Sequence, residues 1–233
     1  MSGFDEVSGP ARAHNIIQVT GAGRGEFDVF HDCARLARDA SSDEAAAAVV
    51  AGLNNAAIAQ SPYYAVHSGV AGLEDRIVAL PAASGRGKTT LTAALTRQGF
   101  DFLSDEALVF TDDGTVLPYP KPFALSPWSA AMVGVEAGEG ETLATAGDLG
   151  VEVAKGGRLT DLIVSEYGQE ELTLDPLPKS QAVAALIEYS FNHFKDPERA
   201  FRIATEVARS SRVWRLEYDS PIEAAELIAR TLR

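Results

Sequence analysis

The 233-residue sequence has a single cysteine, Cys33, and too few basic residues to balance its acidic ones. One cysteine excludes an intramolecular disulfide framework and a zinc site built mainly from cysteine. With 20 Lys and Arg against 33 Asp and Glu, the net charge is −13, which argues against nucleic acid or an anionic membrane as a partner. No run approaches the ~18 consecutive apolar residues of a membrane span, and the N-terminus lacks a basic signal region. We therefore predict a cytoplasmic protein that binds neither nucleic acid nor membrane.

The most informative segment is Ala82-Ala83-Ser84-Gly85-Arg86-Gly87-Lys88-Thr89, between an apolar run and a helical pattern. Small residues let backbone N–H groups surround phosphate oxygens, and the following helix points its positive end at the anion. Lys88 adds a cation for the phosphates and Thr89 a hydroxyl for Mg²⁺. Ala82 replaces the usual first glycine, so a turn that merely caps a helix is the alternative. This segment, called the phosphate loop below, predicts an ATP and Mg²⁺ site lined by Ser84, Gly85, Arg86, Gly87, Lys88, Thr89 and Thr90.

The sequence before the phosphate loop predicts a hairpin, a helix and two strands. A glycine turn at 21–25 separates strand patterns at 15–20 and 26–30. Ser41 and Glu44 form a capping-box pattern for a helix that runs to about Gln60. The two strands are predicted at 63–67 and 76–81, joined through the glycine-bearing segment 68–75.

The sequence after the loop predicts alternating helices and strands with long irregular connections. A helix should end at Gly99, and prolines and glycines predict irregular chain around 118–127 and 134–157. The predicted strands are 100–104, 107–111, 115–119, 161–167 and 213–218, and the predicted helices are 179–194, 197–210 and one that begins at Ser220-Pro221. The prediction is an α/β fold with a phosphate-loop-containing mixed β-sheet flanked by helices. It forms one domain over 1–233, with N-terminal strands and helix at 1–60, the nucleotide-binding core at 61–170 and C-terminal helices at 171–233.

Two acids, Asp105 and Glu106, end the strand that follows the phosphate-loop helix. Ligands gather at the carboxyl ends of strands in α/β sheets, so these carboxylates should lie near the metal and the terminal phosphate. Phosphoryl transfer to an alcohol needs a carboxylate that orients or deprotonates the hydroxyl, and a second can hold Mg²⁺. Adjacent residues on an extended strand point in opposite directions, which predicts separate roles for the two acids. A solvated turn or an ion-pair partner is the alternative.

These motifs together resemble the catalytic domain of the HPr kinase/phosphorylase family and its HPr-kinase-like relatives, which include kinases of modified-peptide gene clusters. The resemblance covers about residues 60–170 and extends more loosely to 233. Its motifs are Val66-His67-Ser68-Gly69 before the loop, Ser84 to Thr89, Gly99-Phe100, Leu103-Ser104-Asp105-Glu106, and Lys155-Gly156-Gly157-Arg158-Leu159. Thr90 stands where the family enzyme carries an acid, and the N-terminal segment does not look like its regulatory domain.

The resemblance implies a role for each matching residue. Asp105 would be the general base on the acceptor hydroxyl, with His67 beside it. Glu106 would support either the metal, together with Thr89, or the phosphate site. Arg158, and with it Lys155, would neutralise charge on the transferred group. A homo-oligomer is expected on the same ground. Lys121, between two prolines, either lines the site or is simply exposed.

The predicted activity is transfer of the γ-phosphoryl group of ATP to a hydroxyl, most readily a serine of a protein or peptide. A small-molecule kinase acting on a sugar, nucleoside or inositol would use the same residues. A regulatory nucleotide-binding protein with little turnover is the third interpretation, but it would need no catalytic base at Asp105.

Overall fold

The computed structural model describes residues 15–23, 25–83, 85, 87–138 and 140–233. The chain divides into two compact units, Met1–Gln60 and Ser61–Arg233, with the boundary where the predicted N-terminal segment ends. The single kinase domain over 1–233 stays a prediction. The strands are β1 (Ile17–Gly23), β2 (Glu26–His31), β3 (Ala34–Ala40), β4 (Tyr64–Leu73), β5 (Arg76–Pro81), β6 (Asp101–Ser104), β7 (Ala107–Phe110), β8 (Thr115–Leu117), β9 (Phe123–Leu125), β10 (Thr142–Ala144), β11 (Gly157–Arg158), β12 (Asp161–Tyr167), β13 (Thr173–Pro176) and β14 (Arg212–Tyr218). The helices are α1 (Ser42–Gln60), α2 (Lys88–Arg97), α3 (Pro127–Val133), α4 (Lys179–Glu188), α5 (Pro197–Ser210) and α6 (Pro221–Leu232), with a 3₁₀ turn at His193–Lys195.

The first unit is a three-stranded antiparallel sheet, β1-β2-β3, packed against α1. The capping box forms as predicted, since the Ser41 N–H donates to Glu44 Oε2 at 2.8 Å and the Glu44 N–H donates to Ser41 Oγ at 3.3 Å. Val29, Ala40 and Ala45 form its small buried cluster. The predicted hairpin is confirmed, whereas β3 was not predicted.

The described part of the second unit contains a nine-stranded mixed sheet. Its strand order is β11-β8-β7-β4-β5-β12-β14-β13, and β6 pairs with β4 beside β7. The strands β5, β12 and β14 run parallel, whereas the pairs involving β4, β7, β8, β11 and β13 are antiparallel. The predicted mixed sheet is confirmed, and its parallel portion begins at the strand that leads into the phosphate loop.

Helices cover both faces of this sheet because successive strand residues point to opposite sides. Ile77 and Ala79 of β5 pack in a cluster that includes residues of α4 and α5. Val78 and Leu80 of the same strand belong to another cluster with residues of α2 and α6. A third cluster joins α3, β9 and β10 to α2 and β6. The fold is therefore mixed α/β with helices on both sides of the sheet, as predicted.

The strand β4 is longer than predicted, because it continues through the glycines that suggested a turn. A Cβ atom at Gly69 would lie 2.0 Å from Thr92 Oγ1, so this glycine allows α2 to approach the strand closely. The chain turns only at Glu74 and Asp75, where Glu74 has a φ of 55°. The prediction that segment 68–75 joins two strands was therefore wrong for residues 68–73.

The helix α4 ends at Glu188, not at 194 as predicted. The Tyr189 carbonyl accepts a hydrogen bond from the His67 N–H at 2.8 Å, and the Phe191 N–H donates to the Ala65 carbonyl at 2.9 Å. Residues 189–191 thus pair with β4, and this pairing satisfies backbone groups that a longer helix would use internally.

The two irregular connections contain short elements that the prolines obscured. Pro127 is the first residue of α3, and Ser126 caps that helix by accepting the Ser129 N–H. The strands β9 and β10 pair with each other, and β11 pairs with β8. Among the residues that the structure describes, no helix is long and apolar enough to cross a membrane.

Candidate functional site

The predicted phosphate loop connects the end of β5 at Pro81 to the start of α2 at Lys88. Gly85 and Gly87 have φ angles of 75° and 79°, a region that favours glycine. Among the residues that the structure describes here, no side chain caps the helix. Uncapped N–H groups at a helix start can bind an anion. Ser84 and Arg86, two of the predicted site residues, lie outside the described residues.

Lys88 is the first residue of α2 and its side chain is turned into the protein. The residue is 5% exposed, and Nζ donates to the main-chain oxygen of Ala83 at 3.0 Å. Burial lowers the pKa of Lys88, and the nearby carboxylates of Asp105 and Glu106 oppose that change. Lys88 is thus a cation held inside the loop and close to both acids.

A tight turn after β6 sets the directions of the two acids. The Ser104 hydroxyl accepts the N–H of Glu106 at 3.1 Å and the N–H of Ala107 at 2.9 Å. Both β6 and β7 pair with β4, so the turn between them is anchored on each side. Asp105 has Thr89 as a side-chain partner, and Glu106 has Lys121. The separate roles predicted for the two acids stay a prediction.

Asp105 lies against the first turn of α2. It is 5% exposed, and its carboxylate is hydrogen-bonded to the side chain of Thr89. Among the described residues, no partner lies within hydrogen-bond reach of Asp105 Oδ1. Burial raises the pKa of Asp105 to about 7, and Glu106 adds to the rise, while Lys121, Thr89 and Lys88 oppose it. This buried, half-satisfied carboxylate beside a hydroxyl has the surroundings of a site for a cation.

Glu106 lies beside Lys121 and His67. Its Oε2 lies 3.3 Å from Lys121 Nζ, and its Oε1 lies 3.9 Å from His67 Nε2. The three side chains are 14–22% exposed, so the group opens to solvent only slightly. Lys121 is therefore a partly buried member of this cluster and not a solvated lysine.

His67 contacts Glu106 as a neutral ring. Burial lowers its pKa, Lys88 and Lys121 lower it further, and Glu106 opposes them. At 3.9 Å the contact is too long for a hydrogen bond, and a neutral ring makes no ion pair. The ring centroid lies 5.4 Å from that of Phe191, which forms one wall beside the histidine. Thus the structure brings His67 to Glu106, whereas the sequence analysis expected it beside Asp105.

Arg158 and Lys155 do not join this cluster. The Arg158 guanidinium is 3.5 Å from the Asp113 carboxylate and also bonds the Asp113 carbonyl, at the far end of the β7–β8 hairpin from Asp105. Both residues line a cleft of about 510 Å³ beside Glu74 and the start of β5. Arg158 has this position because β11, to which it belongs, pairs with β8, and the sequence did not predict that pairing.

Thr90 contacts another helix, and of the two residues predicted to hold the metal, Thr89 and Glu106, only Thr89 lies beside a carboxylate that could share it. The Thr90 hydroxyl is 2.9 Å from Ser129 Oγ, so it links α2 to α3. Within the described part of the chain, no group of three or more His, Cys, Asp or Glu side chains could hold a metal. Mg²⁺ in phosphoryl-transfer sites needs only one or two protein groups plus phosphates. Thr89 and Asp105 form such a pair, whereas Glu106 is directed at Lys121.

Comparisons with known proteins give little further information. No protein-family model matches the chain, and no curated protein matches it. One similar solved structure is the Hpr(Ser) kinase/phosphatase from Coxiella burnetii, at 9% sequence identity and a TM-score of 0.39, with 72% of this chain and 95% of that chain covered. Similarity at this level assigns neither a family nor an activity to the chain.

Proposed function

We propose that this protein is a phosphotransferase that moves the γ-phosphoryl group of ATP to a hydroxyl group. The observation that carries the proposal is the contact of buried Asp105 with Thr89, directly after Lys88 in a phosphate-loop sequence. A glycine-containing loop, a lysine, a hydroxyl and a carboxylate at the carboxyl end of a strand are the components that phosphoryl transfer requires. A turn that only caps a helix needs no buried carboxylate.

The nucleotide side of the site would consist of the phosphate loop and Asp105. The N–H groups at the start of α2 and the Lys88 ammonium would bind phosphate oxygens. Thr89 and Asp105 would hold Mg²⁺, since the hydroxyl and the carboxylate already meet. When bound, Mg²⁺ and ATP supply the neutralising charge and the phosphoryl group.

The acceptor side would consist of Glu106, His67 and Lys121. Glu106 is more exposed than Asp105 and would accept the proton of the acceptor hydroxyl. Lys121 would offset negative charge near the transferred group, the task that the sequence analysis gave to Arg158. The neutral ring of His67 would line the site beside the Glu106 carboxylate. The two acids thus exchange the roles expected from the sequence resemblance.

A serine of a protein or peptide is the acceptor that we propose, on the resemblance of the motifs. A sugar, nucleoside or inositol hydroxyl would make the same chemical demands on Glu106 and Lys121. A homo-oligomer is proposed on the resemblance alone.

The experiment that tests the function is transfer from γ-labelled Mg-ATP into a fractionated extract of the source organism, followed by mass spectrometry. The wild type is compared with Asp105→Asn and Glu106→Gln, and with Asp101→Asn as a control for an exposed acid on β6. The Mg-ATP affinity of each variant is measured in parallel by titration calorimetry.

The proposal predicts that Glu106→Gln lowers the transfer rate by about 10²–10⁴ with little change in Mg-ATP affinity, as for loss of a general base. Asp105→Asn should weaken Mg-ATP binding itself. If Asp105→Asn abolishes transfer and leaves Mg-ATP affinity intact, Asp105 is the base, as the sequence suggested. Absence of any labelled product despite Mg-ATP binding contradicts the catalytic proposal and favours a regulatory protein.

A further inference from the structure

We propose that Tyr167 is the stacking platform for the nucleobase of the bound nucleotide. The inference rests on the proposed function, because it requires a triphosphate at the phosphate loop. The proposed function names residues that would bind the phosphates, the metal and the acceptor, but none that would bind the nucleobase. An exposed aromatic ring beside the loop would supply this missing contact.

The sheet brings Tyr167 to the level of the phosphate loop. The parallel strands β5 and β12 pair Asp161 with Val78 and Leu162 with Ala79. Carried forward, this register puts Val164 level with Pro81, so β12 continues past the end of β5 as far as Tyr167. The carboxyl ends of parallel strands are where α/β sheets bind their ligands. Tyr167 therefore stands alongside the loop, on a strand that is separated by β5 from β4, the partner of β6 and β7.

Tyr167 lies close to the loop. A Cβ atom placed on Gly87 would lie 3.7 Å from Tyr167 Cγ and 3.8 Å from its Cβ. Gly87 caps α2 in the left-handed region and immediately precedes Lys88. The Tyr167 side chain is nevertheless 48% exposed, so a flat ligand can reach its ring.

Tyr218 supports the Tyr167 ring from inside the protein. The two residues pair across β12 and β14, with ring centroids 5.5 Å apart at an angle of 60°. The Tyr218 carbonyl accepts the N–H groups of Gly168 and Gln169 at 2.8 and 3.2 Å, which fixes the chain just after Tyr167. The platform is thus held by a packed ring and by backbone bonds.

The Tyr218 hydroxyl provides a second, independent sign of a ligand at this position. Tyr218 is fully buried, and its Oη lies 2.9 Å from the position of a Gly87 Cβ. Within the described part of the chain it has no hydrogen-bond partner, although a buried hydroxyl normally has one. A polar ligand atom at Gly87 would provide an acceptor.

Trp128, on α3, is the rival platform. It is 60% exposed, and the neighbouring Ser129 contacts Thr90. The short distance between Tyr167 and the position of a Gly87 Cβ favours Tyr167. Aromatic rings stack with every base, so neither platform would by itself select adenine over guanine.

The test measures the affinity of the full chain for two probes, Mg-ATP and Mg-tripolyphosphate, by titration calorimetry. Only the first probe carries a base, so the comparison separates base binding from phosphate binding. The variants are Tyr167→Ala, the matched Tyr167→Phe that keeps a ring, and Trp128→Ala. Phe201→Ala, which removes an aromatic side chain that is 59% exposed on α5, is the control for loss of a surface ring.

We expect Tyr167→Ala to weaken Mg-ATP binding about 5- to 150-fold, the range for loss of one base–aromatic stack, with tripolyphosphate binding unchanged. Tyr167→Phe and Phe201→Ala should bind both probes like the wild type. Equal weakening of both probes, no weakening at all, or a loss confined to Mg-ATP in Trp128→Ala would overturn the assignment while leaving the phosphate site intact. If the wild type binds neither probe, the proposed function itself fails.

Discussion

Replacing Asp105 by Asn should stabilise the metal-free protein above neutral pH, although it removes a residue of the proposed site. Burial raises the pKa of Asp105 to about 7, from 3.8 for an ordinary Asp. Between these two values the folded protein holds a proton that the unfolded chain releases. Its stability therefore falls as the pH rises from about 4 to about 7 and is constant above that range.

The size of the effect follows from the two pKa values. At about 1.4 kcal/mol per pH unit, the difference between 3.8 and about 7 corresponds to roughly 4 kcal/mol of lost stability at high pH. The Asn side chain has no charge to bury, but its new amide donor must find a partner, which costs about 1–3 kcal/mol. A net gain of roughly 1–3 kcal/mol for Asp105→Asn at pH 8 remains.

The assay is urea unfolding in EDTA at pH 5 and pH 8 for the wild type, Asp105→Asn and the exposed control Asp101→Asn. The advantage of Asp105→Asn should be small at pH 5 and larger at pH 8, and Asp101→Asn should show no such increase. A bound cation favours the ionised carboxylate, so Mg-ATP should stabilise the wild type more than the variant. An advantage of Asp105→Asn that does not grow between pH 5 and pH 8 would refute the assignment of a costly buried charge.

Lys121 and Arg158 should differ in their effects on transfer. Lys121→Met should lower the transfer rate by about 10²-fold, because it removes a cation 3.3 Å from Glu106. Arg158→Met should leave the transfer rate near that of the wild type, because Arg158 binds Asp113. A larger loss of transfer rate in Arg158→Met than in Lys121→Met would show that Arg158 supplies the positive charge at the transferred group. Gly87→Ala should destabilise the protein by at least about 1 kcal/mol more than Gly85→Ala. Both glycines have a positive φ, but only at Gly87 would the new Cβ lie 2.9 Å from Tyr218 Oη. Urea unfolding of the two variants compares them directly, and equal losses would contradict this packing.

The sequence correctly predicted elements whose ends carry a local signal, such as a capping residue or a proline at the start of a helix. The strand Asp161–Tyr167 and the helix Pro197–Ser210 have their predicted bounds, and the helix has Pro197 at its start with Asp196 as its cap. The prediction was wrong where a distant contact decides the structure. Gly69 lies within β4 because it faces Thr92, and α4 stops early because residues 189–191 pair with β4. Neither contact leaves a signal in the neighbouring sequence.

The same distinction applies to the candidate site. The meeting of Thr89 with Asp105 could be expected from chain order, because the acids end the strand that follows the loop helix. The place of Arg158 could not, since it depends on a two-residue strand paired with β8. The closeness of Tyr167 to Gly87 likewise depends on the register of β12 against β5, which no sequence motif indicates.

The charges of the site indicate why this acidic protein would need Mg²⁺ to bind a polyphosphate. The whole chain has a net charge of −13, but the described cluster holds two partly or fully buried lysines, Lys88 and Lys121, against the acids Asp105 and Glu106. With Asp105 half protonated near pH 7 and His67 neutral, the cluster is close to neutral or weakly positive. A cluster with this charge would repel a free triphosphate less strongly than the acidic protein as a whole would. It would nevertheless attract the triphosphate only weakly. A divalent cation between Asp105 and the phosphates would turn the buried carboxylate from a cost into a ligand, so nucleotide binding should depend strongly on Mg²⁺.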